Sequence, residues 1–251
     1  MENGMPQSPS HPPFRMALQR RHGDMVRADG GSAASEIIVT GGHVGTHVDA
    51  LSHVSQDGYL HHGVDAEEAQ RRGSFSAYGV DTVSPFFCRG LLLDVAGTRG
   101  VASCEPAYEV TAADLEEAAG GREILPGDTV LIRTGWGRLW EDRMAYIGFE
   151  SGVPGPGEEA AKWLASFGIR AAGSDTIAFE RAAAGAGHSL LPVHRIFLVE
   201  HGIHIIETLD LEGLAAARAA EFLFVMAPLP LVGATGSPVN PLAIVGGPDR
   251  G

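Results

Sequence analysis

The chain has 251 residues, of which 44% are hydrophobic and 20% are charged, a composition typical of a globular protein that buries a sizeable core. Its 18 basic against 31 acidic residues give a net charge of −13, which disfavours a nucleic-acid partner or an anionic membrane surface. The two cysteines, the lack of a secretory-signal pattern and the lack of an apolar run of about 20 residues favour a cytoplasmic protein that acts on a small molecule.

The composition changes near residue 35. Residues 1–35 are rich in Pro, Ser, Gly and Arg, which predicts an N-terminal arm that is flexible or packs on a neighbouring subunit. Residues 36–251 alternate short apolar runs with helical patterns. We predict strands over 36–40, 90–95, 128–135, 169–176, 203–209 and 222–229, and helices over 111–121, 158–168, 192–202 and 211–221. This alternation predicts an α/β fold, a single domain with a mixed β-sheet flanked by helices.

The stretch HVGTHVDALSH, residues 43–53, concentrates three histidines and one aspartate. Glycine and β-branched residues dominate it and the run before it, which favours an extended chain over a helix. Because side chains of an extended chain alternate between two faces, the polar side chains share one face: His43, His47, Asp49 and His53. The opposite face is formed by Val44, Thr46 and Val48 and is expected to meet the sheet or the core.

Two imidazoles and a carboxylate form a ligand set that suits Zn²⁺ and also Mn²⁺. The stretch contains no cysteine, which argues against a closed structural zinc site and favours three protein ligands with an open position. A single H-x3-H pair is commonly no more than surface or core histidines. Four residues of ligand type on one face favour a metal site instead.

A second group of candidate residues lies later in the chain. His194 is placed near the start of a predicted helix, and Glu207 lies on the strand that follows it, so a turn at Gly202 would bring the two together. His194 is equally compatible with a capping or surface role. Asp175 ends a predicted strand, where it either orients a histidine as an outer partner or caps the strand.

The motif resembles the signature H-x-G-T-H-x-D-A-P-x-H of the metal-dependent cyclase and kynurenine formamidase family, with Leu51 in place of the usual proline. The resemblance begins near residue 36 and includes LIRTGW (131–136), GSDT (173–176), VHRIFLVEHGIHIIETL and GATGSPVNPLAIV (233–245). It implies a swivelling β/β/α fold, a catalytic domain over residues 36–251 and a homodimer or homotetramer. It also implies His43, His47 and Asp49 as ligands of a first metal, His53 as the catalytic histidine, and His194 with Glu207 as the pair that holds a second ion or completes the first site.

The resulting hypothesis is a metal-dependent hydrolase of amide-type C–N bonds. An aryl formamide, an isatin-like ring or a lactam would be attacked by a water that the metal activates, with His53 as the general base. The expected cofactor is a divalent ion, Zn²⁺ or Mn²⁺. Two alternatives remain open from the sequence: a cyclase or lyase that acts on a small biosynthetic intermediate, and a non-catalytic protein that binds a metal or a ligand.

Overall fold

A mixed eight-stranded sheet organises the part of the chain that the computed structural model describes, residues 1–187 and 189–246. The strands are β1 (Arg15–Arg20), β2 (Ser35–Val39), β3 (His47–Asp49), β4 (Phe86–Asp94), β5 (Glu109–Val110), β6 (Thr129–Arg133), β7 (Gly155–Pro156), β8 (Ala171–Ser174), β9 (His204–Glu207), β10 (Glu221–Met226), β11 (Gly236–Pro238) and β12 (Leu242–Ile244). The strand order in the sheet is β11-β3-β9-β8-β6-β4-β10-β12. Strands β4, β6, β8 and β9 run parallel, whereas both ends of the sheet pair antiparallel.

Helices flank this sheet. They are α1 (Ala66–Gln70), α2 (Val95–Thr98), α3 (Ala112–Ala119), α4 (Arg143–Ile147), α5 (Glu158–Ala165), α6 (Pro192–His194) and α7 (Glu212–Ala216). Helix α6 continues directly into a π-helical segment, Arg195–His201, which ends at Gly202 in the left-handed conformation. Short 3-10 turns cover His61–Gly63, Val80–Thr82 and Trp136–Leu139. This arrangement confirms the predicted α/β fold with a mixed sheet flanked by helices.

The central strands are covered on both faces, which explains their almost continuous apolar runs. Along β6, Val130 and Ile132 belong to one buried cluster, in which they pack with residues of α3, α5 and the π-helical segment. Leu131 points to the other face and joins a second cluster that contains Ile206 and Phe224. The alternation of side chains along each strand therefore divides the core into two layers.

Most elements lie where the sequence pattern predicts them. Helix α3 begins with the expected capping box, in which the side chain of Thr111 accepts from the Asp114 backbone N–H and the Asp114 carboxylate accepts from the Thr111 backbone N–H. Gly120 ends this helix in the left-handed conformation. The strands predicted over 90–95, 128–135, 169–176, 203–209 and 222–229 correspond to β4, β6, β8, β9 and β10.

The strand predicted over residues 36–40 forms, but it lies outside the central sheet. β2 pairs antiparallel with β1 in a separate two-stranded ribbon. This ribbon leaves Leu18, Ile38 and Val39 more than half exposed, at 51%, 57% and 55%. The apolar character of β2 therefore does not reflect burial against its own chain.

Residues of the N-terminal arm pack on the rest of the chain. Met5 and Phe14 are buried in a small cluster with Val44 and Trp140. The pairing of β1 with β2 also joins residues 15–20 to the start of the predicted domain. Among the described residues, no helix is both long enough and apolar enough to cross a bilayer.

The capping box of α3 generates a stability prediction. Thr111→Ala removes the side-chain acceptor for the Asp114 N–H, so we expect a loss of about 1 kcal/mol in the free energy of unfolding. Urea denaturation measures this loss, with Ser151→Ala in an exposed loop as the control. An unchanged midpoint in Thr111→Ala would contradict the assigned helix start.

Candidate metal centre

The pairing of β3 with β9 brings two of the predicted ligands face to face. His47 lies directly opposite Glu207 in the antiparallel register, and the two share one face of the sheet with Asp49. Nε2 of His47 lies 3.4 Å from Oε2 of Glu207 and 3.5 Å from Oδ1 of Asp49. Nδ1 of His47 donates to the Gly45 carbonyl at 2.8 Å, and Nε2 is directed at the carboxylates.

Helix α6 supplies the fourth member of this group. Nε2 of His194 lies 3.2 Å from Oε1 of Glu207 and 3.6 Å from Oδ2 of Asp49. All four side chains are buried, with exposed fractions of 5% or less. The structure therefore brings together His47, Asp49, His194 and Glu207, which the sequence placed in two separate halves.

The backbone that carries the motif differs from the extended chain that the sequence predicted. Only His47–Asp49 forms a strand, because Gly45 adopts a left-handed conformation with φ of 67°. His53 reaches the site through a turn, in which its backbone N–H donates to the Ala50 carbonyl at 2.9 Å. The polar side chains converge as predicted, but not through a uniform two-residue alternation. A bend at Gly45 brings His43 to the strand, and a turn after Ala50 brings His53 to it.

His43 lies beside the four-residue group and links it to His53. Its Nδ1 is 2.7 Å from Oδ1 of Asp49, and its Nε2 is 2.8 Å from Oγ1 of Thr235. The His43 and His53 rings stack with centroids 3.8 Å apart, and the His53 ring lies 6.1 Å from that of His194. His53 is therefore next to both halves of the site.

The chemistry of this cluster fits a divalent cation. Oδ2 of Asp49 is buried and has no hydrogen-bond partner among the described residues, which is costly for a carboxylate unless another positive group approaches. One ligand atom from each of Asp49, His194 and Glu207 lies within 4.8 Å of the others, and the same holds for His43, Asp49 and His53. Imidazole nitrogens with carboxylate oxygens suit Zn²⁺ or Mn²⁺.

The buried charges shift the protonation of their neighbours. Burial alone would raise the pKa of Asp49, yet the adjacent imidazoles of His53 and His43 hold that pKa well below its usual range. Burial opposes the charged form of His194, but the carboxylates of Glu180 and Glu207 outweigh it and raise the pKa of His194 to about 10. The cluster thus attracts positive charge, as a proton or as a metal ion.

His53 has the opposite character. Burial lowers the pKa of His53 to about 3, and the attraction of Asp49 only partly offsets this effect. The His53 ring is therefore neutral at neutral pH. A neutral imidazole offers a lone pair beside the cluster, while burial disfavours its protonated form.

The structure does not support Asp175 as the partner of a histidine. Its carboxylate is buried and accepts hydrogen bonds from the backbone N–H and hydroxyl of Thr134, at 3.0 and 2.6 Å, and from the Gly135 N–H at 2.8 Å. These contacts join the end of β8 to the loop after β6. Asp175 therefore stabilises a connection between two strands, which is the capping alternative.

Three residues near the cluster were missed by sequence reasoning. Glu180 contacts Nδ1 of His194 at 2.7 Å, and Thr235 contacts His43. The ring of His11, from the N-terminal arm, stacks on His43 with centroids 5.2 Å apart. Thr235 belongs to the block 233–245 that carries part of the family resemblance, whereas nothing in the local pattern distinguishes Glu180 or His11.

Two clefts border the strands that carry the site. A cleft of about 450 Å³ is lined by Thr46 and Thr208, which directly precede β3 and follow β9, together with Tyr146. A cleft of about 540 Å³ includes Thr235 among its lining residues, together with Phe75. Thr235 bonds to His43, so this second cleft lies behind a residue that contacts the cluster.

Comparison with known proteins identifies the family of this chain. A sequence model of the family described as putative cyclase matches residues 1–181, including the N-terminal arm. An isatin hydrolase from Roseibium aggregatum is 29% identical over 224 residues, which cover 87% of this chain and 77% of that protein.

The fold also resembles solved structures. A crystal structure described as a novel cyclase superposes with a TM-score of 0.87 at 30% identity, covering 97% of this chain and 85% of that one. An isatin hydrolase bound to the product analogue thioisatinate shares the fold with a TM-score of 0.72 at 24% identity, covering 93% and 82%. These similarities confirm the fold class that the sequence resemblance implied.

The close approach of Gly236 to His43 generates a prediction about the cluster. A Cβ atom at Gly236 would lie 2.5 Å from Cε1 of His43, so Gly236→Ala must displace this ring. We expect Gly236→Ala to bind less zinc or manganese at equilibrium, measured by metal analysis after dialysis. Gly213→Ala, where a Cβ meets nothing within 4 Å, is the matched control. Equal metal content in both variants would contradict a role for His43 at the site.

Proposed function

Because this chain belongs to the putative cyclase family, we propose that it is a metal-dependent hydrolase of amide-type C–N bonds. The proposed substrates are an aryl formamide, an isatin-like ring or a lactam, each a planar carbonyl group bonded to nitrogen. The similarity to an isatin hydrolase over 87% of the chain supports this reaction class. Zn²⁺ or Mn²⁺ is the proposed cofactor.

One observation carries the proposal. Two imidazole nitrogens, on His47 and His194, face two buried carboxylates, and one carboxylate oxygen of Asp49 lacks any hydrogen bond among the described residues. Such a cluster is expensive to bury without a cation. His47, Asp49, His194 and Glu207 would hold the ion, and His43 would complete its surroundings.

A divalent ion held by these residues would supply an activated water, whose pKa is about 7 in the case of zinc, and would polarise the substrate carbonyl. The residues of the chain do the remaining work. His53 is the proposed general base, which would take the proton from the attacking water and deliver it to the departing nitrogen, because its ring lies next to His43 and His194. The stacking of His53 on His43 fixes the orientation of its ring.

The cleft of about 540 Å³ is the proposed substrate site. Its volume lies within the range of small-molecule sites, roughly 300–1,000 Å³. Its lining residues include Phe75, Gln70 and Thr235, and none of the residues that line it is charged. This lining suits a neutral planar amide better than an anionic or cationic substrate.

The roles of Asp49 and His53 are separable by mutation. Asp49→Ala removes a ligand that both halves of the cluster share, so we expect loss of the metal and of turnover. His53→Asn is expected to retain the metal but to lose activity by about 10²- to 10⁴-fold, the usual contribution of general acid–base catalysis. Metal analysis and an assay on isatin, formanilide and lactams measure both effects.

His201→Asn, at an exposed histidine outside the cluster, is the matched control and should leave metal content and rate unchanged. Full metal and turnover in Asp49→Ala would contradict the ligand assignment. Turnover in water enriched in ¹⁸O should place one labelled oxygen in the product. An unlabelled product would instead favour a cyclase or lyase.

The exposed ribbon of β1 and β2 supports a proposal about assembly. Two-stranded ribbons are marginally stable in water by themselves, and this one exposes Leu18, Ile38 and Val39. We propose that a second copy of the chain covers it, in a homodimer or homotetramer. We also propose a cytoplasmic location, which agrees with the free thiols of Cys88 and Cys104.

Ile38→Asp tests the assembly. A buried charge at the proposed interface is expected to lower the mass in solution, measured by light scattering on a sizing column. Val101→Asp, at a site that is 40% exposed outside the ribbon, should leave the mass unchanged. A monomeric wild-type protein would contradict the assembly proposal and leave the metal site unaffected.

A further inference from the structure

The carboxylate of Glu180 lies behind His194, on the side away from the metal cluster. Oε1 of Glu180 is 2.7 Å from Nδ1 of His194, and both side chains are buried. The same oxygen accepts the backbone N–H of His194 at 2.9 Å, and Oε2 accepts the N–H of Val193 at 3.0 Å. Both carboxylate oxygens of Glu180 therefore accept hydrogen bonds from the turn formed by Val193 and His194.

These contacts select one form of the His194 ring. A carboxylate accepts hydrogen bonds, so Nδ1 carries the proton and donates it towards Glu180. In the singly protonated ring that a cation would bind, Nε2 then has the lone pair, and Nε2 is the atom that faces Glu207 and Asp49. The alternative tautomer would place a proton between His194 and the ion, and it would leave Glu180 without a donor from the ring.

Glu180 itself has little freedom to move. It is only 2% exposed. A Cβ atom at Gly155 would lie 2.5 Å from the carbonyl carbon of Glu180, so the chain at Glu180 packs directly on the backbone of β7. Among the described residues, the ionic partner of Glu180 is His194. A buried anion with this single ionic partner is suited to holding that partner in place.

We propose that Glu180 is a positioning residue, which holds His194 in the tautomer and orientation that present Nε2 to a divalent cation. This inference rests on the proposed metal site and adds to it a residue outside the ligand set. Partners of this kind commonly affect metal affinity by about 10- to 100-fold, because they fix the ring and increase its basicity.

The first experiment compares metal affinities. Glu180→Gln keeps the shape of the side chain but removes its charge and one of its two acceptor oxygens. We expect Glu180→Gln to bind Zn²⁺ and Mn²⁺ about 10- to 100-fold more weakly than wild type, measured by competition with a chromogenic chelator. Glu180→Asp keeps the charge but shortens the side chain, and it should weaken binding as well.

The second experiment reads the tautomer directly. In zinc-loaded protein labelled with ¹⁵N-histidine, the spectrum of His194 should show a protonated Nδ1 in wild type. In Glu180→Gln we expect this signal to shift or to lose its protection from exchange. A merely structural role for Glu180 would change the melting temperature and leave the tautomer of His194 unaltered.

Two controls separate the possible failures. Glu200 lies on the π-helical segment that follows His194, and its side chain is 42% exposed. Glu200→Gln should therefore bind metal as wild type does. His194→Ala tests the metal site itself. Unchanged affinity in His194→Ala would contradict the proposed site, and this inference with it. The role of Glu180 alone would be overturned by a different pattern. In that pattern His194→Ala binds metal more weakly, whereas folded Glu180→Gln and Glu180→Asp keep wild-type affinity and an unchanged His194 spectrum.

Discussion

The structure depends on compensation of negative charge that is buried beside the central sheet. Asp49 and Glu207 lie on adjacent antiparallel strands, shielded from water, with one Asp49 oxygen unpaired among the described residues. Isolated carboxylates in such surroundings cost several kcal/mol each, so the fold requires a positive partner at this point. The neighbouring imidazoles provide part of the compensating positive charge, and a divalent ion bound between them would provide the rest.

The fold meets this requirement by joining distant segments through strand register. The motif strand β3 pairs with β9, which brings Glu207 against His47, and β11 pairs with β3 on the other side, which brings Thr235 and Gly236 against His43. Helix α6 then places His194 over the carboxylates. The site therefore needs β3, β9, β11 and α6 together, and no single segment of the chain contains it.

Sequence reasoning selected most of the residues that the structure brings together, because ligand chemistry depends on residue type and short spacing. His43, His47 and Asp49 were selected from one stretch, and His194 and Glu207 from a later block and the family resemblance. It failed where tertiary contacts decide the role. Asp175 and Glu180 are both buried acidic residues that follow β8, but only Glu180 contacts His194. The path of the chain after β8 decides this contact, and hydrophobic periodicity in the sequence does not predict that path. The apolar run over 36–40 predicted a strand, but it did not predict that β2 lies in a separate ribbon, since exposed and buried apolar strands have the same sequence pattern.

The most direct test of this account is X-ray absorption at the metal edge of the protein, purified without added metal. The account predicts one or two bound zinc or manganese ions, surrounded by nitrogen and oxygen, with the multiple-scattering features of at least two imidazole rings. Protein that is fully folded and binds no divalent ion, or an ion surrounded by oxygen alone, would contradict the claim that these histidines and carboxylates form a metal centre.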